Sequence, residues 1–120
     1  MQKVDLHSHS VASDGSLKPS ELVKLAFERG IKNLSLTDHD TVDGIEEAKR
    51  EAERLGVNFI PGIEVTADTS FLGGGKREFH ILGYFIDVDS KAIKELSEFS
   101  KSSRIRRNKE LFDRLEEFGY

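Results

Sequence analysis

Cysteine is absent from this chain, which removes disulfides and thiolate zinc sites together and is compatible with a reducing cytosol. Long apolar runs are missing as well. No stretch approaches the roughly 18 apolar residues of a membrane helix, and Met1-Gln2-Lys3-Val4-Asp5 lacks the apolar core of a secretion signal. The sequence therefore reads as a soluble, cytoplasmic protein. Nor is there an excess of one charge: 18 Lys plus Arg against 22 Asp plus Glu leave a net charge of -4, which gives no global attraction to nucleic acid or anionic lipid. An anionic ligand would have to be drawn by local charge or by metal. No internal repeat and no low-complexity linker divides the 120 residues. They suffice for one domain with a modest core but fall short of the about 250 residues of a typical closed α/β barrel.

What is present is an alternation of strand-like and helix-like segments. Val4 to Leu6 reads as a short strand ending at His7, followed by a loop rich in Ser, Asp and Gly from Ser8 to Ser16. Pro19 suits a helix's first turn, Leu22, Val23, Ala26 and Phe27 share one face, and Gly30 is placed to end it. Ile31 to Leu36 supplies a second strand. Asp43 with Glu46 three residues on resembles a capping box, and Ile45, Ala48, Ala52 and Leu55 continue at helical spacing up to Gly56. Val57 to Ile60 is a third strand, leading through Pro61-Gly62 to Ile63-Glu64-Val65. Connections of this kind predict a β-α-β-α-β unit with a parallel sheet and flanking helices. Val65 to Leu72 and Glu78 to Ile86 then read as two strands of a hairpin joined through Gly73-Gly74-Gly75-Lys76, and one or two amphipathic helices follow from Ser90.

The four histidines all fall at or beside strand ends or turns, in company with acids: Asp5-Leu6-His7-Ser8-His9, Thr37-Asp38-His39-Asp40, Gly62-Ile63-Glu64 and Phe79-His80. In a parallel sheet the carboxyl ends of strands form the site edge, so His7, His9, His39 and Glu64 would share it. Side chains two apart on a strand turn to one face, which lets His7 and His9 address a single ion. Imidazoles with carboxylates suit zinc, manganese or iron better than calcium, and Glu64 could bridge two ions through its two oxygens. Asp14 could add an oxygen ligand or serve simply as the turn residue of Ser13-Asp14-Gly15. Asp38 and Asp40, with Asp5, could accept the second N–H of a ligating imidazole or orient water, or be loop residues. His80, between Phe79 and Ile81, could be a ligand or a buried structural residue. In the last third, Arg104, Arg107 and Asn108 share a helix face that could clamp a phosphate or stand in solvent.

With His-x-His, Thr-Asp-His-Asp, Gly-Ile-Glu and Phe-His-Ile-Leu-Gly-Tyr in this order, the chain resembles the polymerase and histidinol phosphatase (PHP) family of metal-dependent phosphoesterases over nearly its whole length. The resemblance implies a distorted (β/α)7 barrel with two or three divalent ions (Mn, Fe or Zn) at its mouth. It makes His7, His9, Asp14, His39, Glu64 and His80 the metal ligands, with Glu64 bridging. It further implies hydrolysis of phosphate esters by metal-activated water, the run through Arg104, Arg107 and Asn108 being most like the subgroup that acts on small nucleotides and short RNA 5′ ends. Since the family draws further ligands from later strands and no His follows His80, residues 1–120 are expected to hold the N-terminal part of such a domain, a β/α part over 1–89 and a helical segment over 90–120. Two other outcomes are consistent with the resemblance. One is a catalytically incomplete metal-binding fragment that self-associates through its open sheet edge as a homodimer or needs a further C-terminal segment. The other is a proofreading module of the DNA-polymerase type.

Overall fold

A computed structural model describes residues 1–68, 73–75 and 77–119. It contains strand β1 (Lys3–Ser8), helix α1 (Pro19–Glu28), strand β2 (Ile31–Leu36), helix α2 (Ile45–Leu55), strands β3 (Asn58–Asp68) and β4 (Glu78–Tyr84) and helix α3 (Lys91–Glu117). The sheet order is β1-β2-β3-β4, the first three parallel and the fourth antiparallel to β3, which gives an open, curled part of a barrel with α1 and α2 packed on one side. This is the α/β arrangement expected from the sequence. No helix among the described residues is long and apolar enough to cross a membrane.

The core lies between the sheet and the first two helices. Val23 and Ala26 from α1, Ile45, Ala48 and Ala52 from α2, and Leu34 and Leu36 from β2 are buried together with Val57. Each buried Val, Leu or Ile contributes about 1.5–3 kcal/mol through removal of apolar surface from water. Along β2 the alternating positions do opposite work: Leu34 and Leu36 meet the helices, whereas Ser35 and Thr37 are fully buried on the other face. Those small polar side chains leave room above the sheet. Helix α1 starts with Pro19 at its first position and with Glu21 accepting from the backbone N–H of Lys18 at 2.9 Å. Helix α2 ends on Gly56 with φ 73°, a left-handed conformation that glycine adopts without steric cost.

Two local expectations change, and a third is narrowed. The stretch read as a strand, a turn and a second strand is one continuous β3, because its two halves pair with different partners: Asn58 to Pro61 lie parallel to β2, and Gly62 to Asp68 antiparallel to β4. Pro61, which has no N–H, falls at the changeover, where its carbonyl accepts from Ile86 at 3.3 Å. The proposed second strand's residues 69–72, and Lys76 of the glycine loop, lie outside the described residues. Asp43 does not cap α2. Gly44 takes that position, wedged where a side chain would meet Pro19 and Leu36, and Asp43 instead pairs with Lys101 of α3 at 2.9 Å. Finally, the C-terminal segment is a single helix, started by Ser90, whose hydroxyl accepts from Ile93 N–H at 3.3 Å. Beyond Ser97 its apolar side chains, Phe99, Ile105, Leu111 and Phe112, are exposed.

Gly62 marks the tightest point of the sheet's inner face. A Cβ there would stand 2.5 Å from Ser35 Oγ, 2.8 Å from Thr37 Cγ2 and 3.1 Å from the Gly83 carbonyl oxygen. Gly62→Ala is therefore expected to destabilise the fold by about 1–3 kcal/mol, the usual range for overpacking. Chemical denaturation at unchanged m-value checks this, and a variant as stable as the parent would refute the close approach.

Candidate metal centre

The centre is built where β2 hands over to β3. Past Leu36 the chain continues beside β3 without remaining a regular strand: Glu64 N–H donates to the Asp38 carbonyl at 3.1 Å, Asp40 N–H donates to the Glu64 carbonyl at 2.9 Å, and His39 bridges Glu64 in parallel register. Asp40 turns the chain there with φ 54°, a conformation that Asp tolerates better than most residues. Its Oδ1 accepts from Thr66 N–H at 2.8 Å and so extends the ladder by one rung. On the other side of β3, Thr66 stands opposite His80. His80 and Glu64 are thus diagonal neighbours on one face.

All four imidazoles approach the Glu64 carboxylate. Its Oε2 lies 3.1 Å from His7 Nε2, 3.2 Å from His9 Nε2 and 3.5 Å from His39 Nε2, and its Oε1 lies 3.7 Å from His80 Nδ1. Asp14 closes the second side, 3.5 Å from His9 Nδ1 and 3.3 Å from His39 Nε2. The rings touch in sequence, His7 edge-on to His9, His9 stacked on His39 at 4.6 Å, and His39 edge-on to His80. Burial pushes the Glu64 carboxyl up, but the hydrogen bond from His7 and the charges of His39, His7 and His9 more than offset it, so the group is held below its ordinary value. Glu64 is an anion whose side chain is only 7% exposed.

The donor set fits divalent cations. His7, His9 and Glu64, His9, Asp14 and His39, and His39, Glu64 and His80 form three overlapping groups, each offering ligand atoms within 4.8 Å of one another. Ligands about 2.0–2.2 Å from one ion stand about 2.9–3.6 Å from each other, which is the spacing of most pairs here. His9 Nδ1 is buried without a hydrogen-bond partner, the kind of orphaned atom that a ligand satisfies. Glu64 belongs to two of the groups and His9 and His39 to two each, so shared ligands would bring neighbouring ions close.

The remaining sequence candidates are placed as follows. Asp5 accepts from the His7 backbone N–H at 3.2 Å and Asp38 is buried against Ser10 and Ser13; neither carboxylate bonds an imidazole among the described contacts. His80 is exposed at its ring, which sets aside the buried structural alternative. Arg104 and Arg107 line a 360 Å³ cleft together with Asp40, Thr66, Phe99 and Arg106, whereas Asn108 is not part of its wall. Arg106 belongs to the basic run of the sequence, whereas Thr66 escaped the sequence reading. Thr66 had a usable signal in its position two residues after Glu64, on the same strand face.

Residues 5–117 match the family model of the PHP domain. Over 118 residues the chain is 41% identical to a 5'-3' exoribonuclease of Haemophilus influenzae, covering 98% of this chain and 41% of that protein. It is 35% identical to a 3',5'-nucleoside bisphosphate phosphatase of Chromobacterium violaceum, of which it covers 40%. The solved structure of an amidohydrolase from Chromobacterium violaceum, with bound sulfate and no metal, superposes with a TM-score of 0.84 at 35% identity, covering 98% of this chain and 40% of that one. The chain thus spans about two fifths of the length of each of these relatives.

Because His7 supplies both a hydrogen bond and a charge to Glu64, His7→Ala in the metal-free protein is expected to raise the Glu64 carboxyl toward its ordinary value. The stability that ionised Glu64 contributes is complete above the unfolded-chain value and lost as pH falls through the lower folded value, so the variant loses it at a higher pH. Carboxyl carbon shifts followed by NMR against pH measure this; an unmoved titration would show that His7 does not hold the carboxylate.

Proposed function

The chain belongs to the PHP domain family, and on that premise we propose that its imidazole and carboxylate cluster holds two or three divalent ions, manganese, iron or zinc, for the hydrolysis of phosphate esters. The observation that carries this reading is the convergence of four histidines, from β1, the loop after it, the end of β2 and β4, on one buried carboxylate. Such a group of like imidazoles gains little from mutual contact unless a cation is shared. Two relatives support the substrate class by name, an exoribonuclease and a nucleoside bisphosphate phosphatase, and the solved structure from Chromobacterium violaceum holds sulfate, a tetrahedral anion shaped like phosphate.

In this assignment His7, His9, Asp14, His39, Glu64 and His80 are the ligands, Glu64 being shared. Divalent ions in such a site supply Lewis acidity and bring the pKa of water from about 15.7 toward about 7. The chain's own residues do the rest. Glu64 stays ionised and fixes the imidazoles, and Asp40, on the cleft wall beside His39, orients water toward phosphorus; the water oxygen bonds to phosphorus as the ester P–O bond breaks, and the proton that the water gives up ends on the leaving oxygen. Arg104 and Arg107 hold the anionic groups of a small phosphorylated molecule or nucleotide through paired N–H donors, with Asn108 one residue along the helix. Three arginines in the cleft face four acids, Asp40, Asp68, Glu78 and Glu110, so side-chain charge alone does not draw an anion there. Cations in the cluster reverse that balance.

A second reading, a metal-binding portion that associates with another polypeptide, is favoured by the apolar residues left exposed on the two sheet edges, Val4 and Leu6 on β1 and Phe79 and Ile81 on β4. A second copy paired through such an edge would make it a homodimer.

The decisive experiment combines metal analysis, light scattering and phosphate release from an aryl phosphate and a 3′,5′-bisphosphonucleoside. The expected result is bound transition metal and turnover that chelator or His9→Ala lowers by at least about tenfold, the least that disturbing such a site costs. Metal without turnover in a dimer supports the second reading. A protein that takes up no transition metal overturns both. Where turnover is found, Arg104→Ala and Arg107→Ala are each expected to raise KM about tenfold, the value of one charge-assisted hydrogen bond, with kcat less affected. Unchanged KM in both variants would place the substrate elsewhere.

A further inference from the structure

We infer that Asp38 is a positioning residue for one of the ion sites of this cluster: it fixes the loop between β1 and α1 so that Asp14 reaches His9 and His39. This rests on the metal reading above and adds to it a division of labour between the two sides of the cluster. His7, His9 and Glu64 are brought together by the sheet, through the pairing of β1 with β2 and of β2 with β3. The group of His9, Asp14 and His39 needs more, since Asp14 sits on a loop and its side chain is 64% exposed. An exposed carboxylate on a short loop has no reason of its own to stay beside two imidazoles. The side-chain hydrogen bond it accepts, from Ser13 Oγ at 3.3 Å, is with its own neighbour.

What holds the loop lies beneath it. The Asp38 side chain is 2% exposed and accepts three short hydrogen bonds from the loop: Oδ1 from Ser10 N–H at 2.7 Å and from Ser13 Oγ at 2.7 Å, and Oδ2 from Ser10 Oγ at 2.6 Å. Ser10, itself fully buried, passes the constraint on. Its Oγ accepts from Ala12 N–H at 3.1 Å, and its carbonyl accepts from Ser13 N–H at 3.1 Å and Gly15 N–H at 2.8 Å. Gly15 completes the turn by lying directly on the His9 carbonyl and the Ser10 Cα, where any Cβ would overlap the backbone. Asp14 is thus clamped between Ser13 and Gly15, each tied to Ser10 or Asp38. Three short hydrogen bonds onto one buried carboxyl group make the anchor stiff as well as buried. Asp38 also immediately precedes His39, so one residue sets the loop that carries Asp14 and the strand end that carries its imidazole partner.

The consequence is selective. Loosening the loop should weaken the ion held by His9, Asp14 and His39 and leave the ion held by His7, His9 and Glu64 bound. The test is a cobalt(II) titration of the full 120-residue protein, read by the visible absorption bands of the bound ion and by equilibrium dialysis with elemental analysis, with thermal unfolding of each metal-free protein alongside. The parent is expected to fill at least two steps. Asp38→Asn, Ser13→Ala and Asp14→Asn are each expected to weaken one step by about 10–100-fold while the rest stay near parental values, and in Ser13→Ala and Asp14→Asn the metal-free unfolding midpoint stays parental as well. Ser13→Thr, which keeps the hydroxyl, should restore every step. A purely structural role would instead lower the midpoint and all steps together. That result, or parental steps throughout in both Asp38→Asn and Ser13→Ala, overturns the inference; should Asp38→Asn fail to fold, Ser13→Ala and Ser13→Thr decide it. A parent that binds no cobalt refutes the metal reading and this inference with it, and is recognised before any variant is compared.

Discussion

A carboxylate taken out of water, Glu64, is the constraint around which this structure is arranged. An isolated buried anion would cost several kcal/mol, and nothing about the inner face of the sheet repays that except the imidazoles that surround it. They approach from β1, from the loop after it, from the end of β2 and from β4, and because His7, His9 and His39 are the ones that hold Glu64 ionised, β1, β2 and β3 must be in register. The dependence also runs the other way. A cluster of imidazoles without its central anion would repel itself whenever protons or cations were bound, and the sheet would have no reason to curl its edges toward one point.

Register is enforced by backbone devices that sit within two residues of the cluster. Glu64 exchanges hydrogen bonds with the residues on either side of His39, and Asp40 adds a side-chain rung to Thr66. These bonds continue β2 alongside β3 where the regular ladder has ended, and they free His39 to turn inward. The inner face below is lined by Ser35, Thr37 and Gly62, all small. Large apolar residues in those places would fill the space that the cluster occupies, and the opposite face, with Leu34 and Leu36, already supplies the core. One strand thereby serves stability on one side and chemistry on the other, which is the ordinary consequence of period-two alternation put to use.

Much of this was legible in the sequence because it is local. The His7 and His9 spacing, the helix signals at Pro19, Gly30 and Gly56, and the succession of strand and helix that forces a parallel sheet each depend on neighbours along the chain. What escaped was set by distant partners. The continuity of β3 across Pro61 is decided by which strand lies beside each half, and no pattern within residues 57–68 announces a change of partner. Asp43 has the spacing of a cap, yet Gly44 fits between α1 and β2 while Asp43 finds Lys101, more than fifty residues away. Asp38 looked like its neighbour Asp40. Only burial separates them, one carboxylate turned inward onto serines and the other outward to the cleft wall.

The same geometry explains why stability and function are hard to separate in this chain. The apolar core is small, with two helices against one face, and the apolar residues of α3 beyond Ser97 bury little. A ligand that binds only the folded cluster adds RT ln(1 + [L]/Kd), about 2.7 kcal/mol at a hundredfold excess over Kd, which is a large fraction of the margin by which a domain of this size stays folded. Because the candidate ligands come from β1, the loop after it, the end of β2, β3 and β4, that free energy would be spread over the whole sheet rather than over one loop. Cation binding would then act on the strand register as much as on chemistry. The histidines and Glu64 are as much the far end of the sheet's hydrogen-bond ladder as they are a site placed upon it.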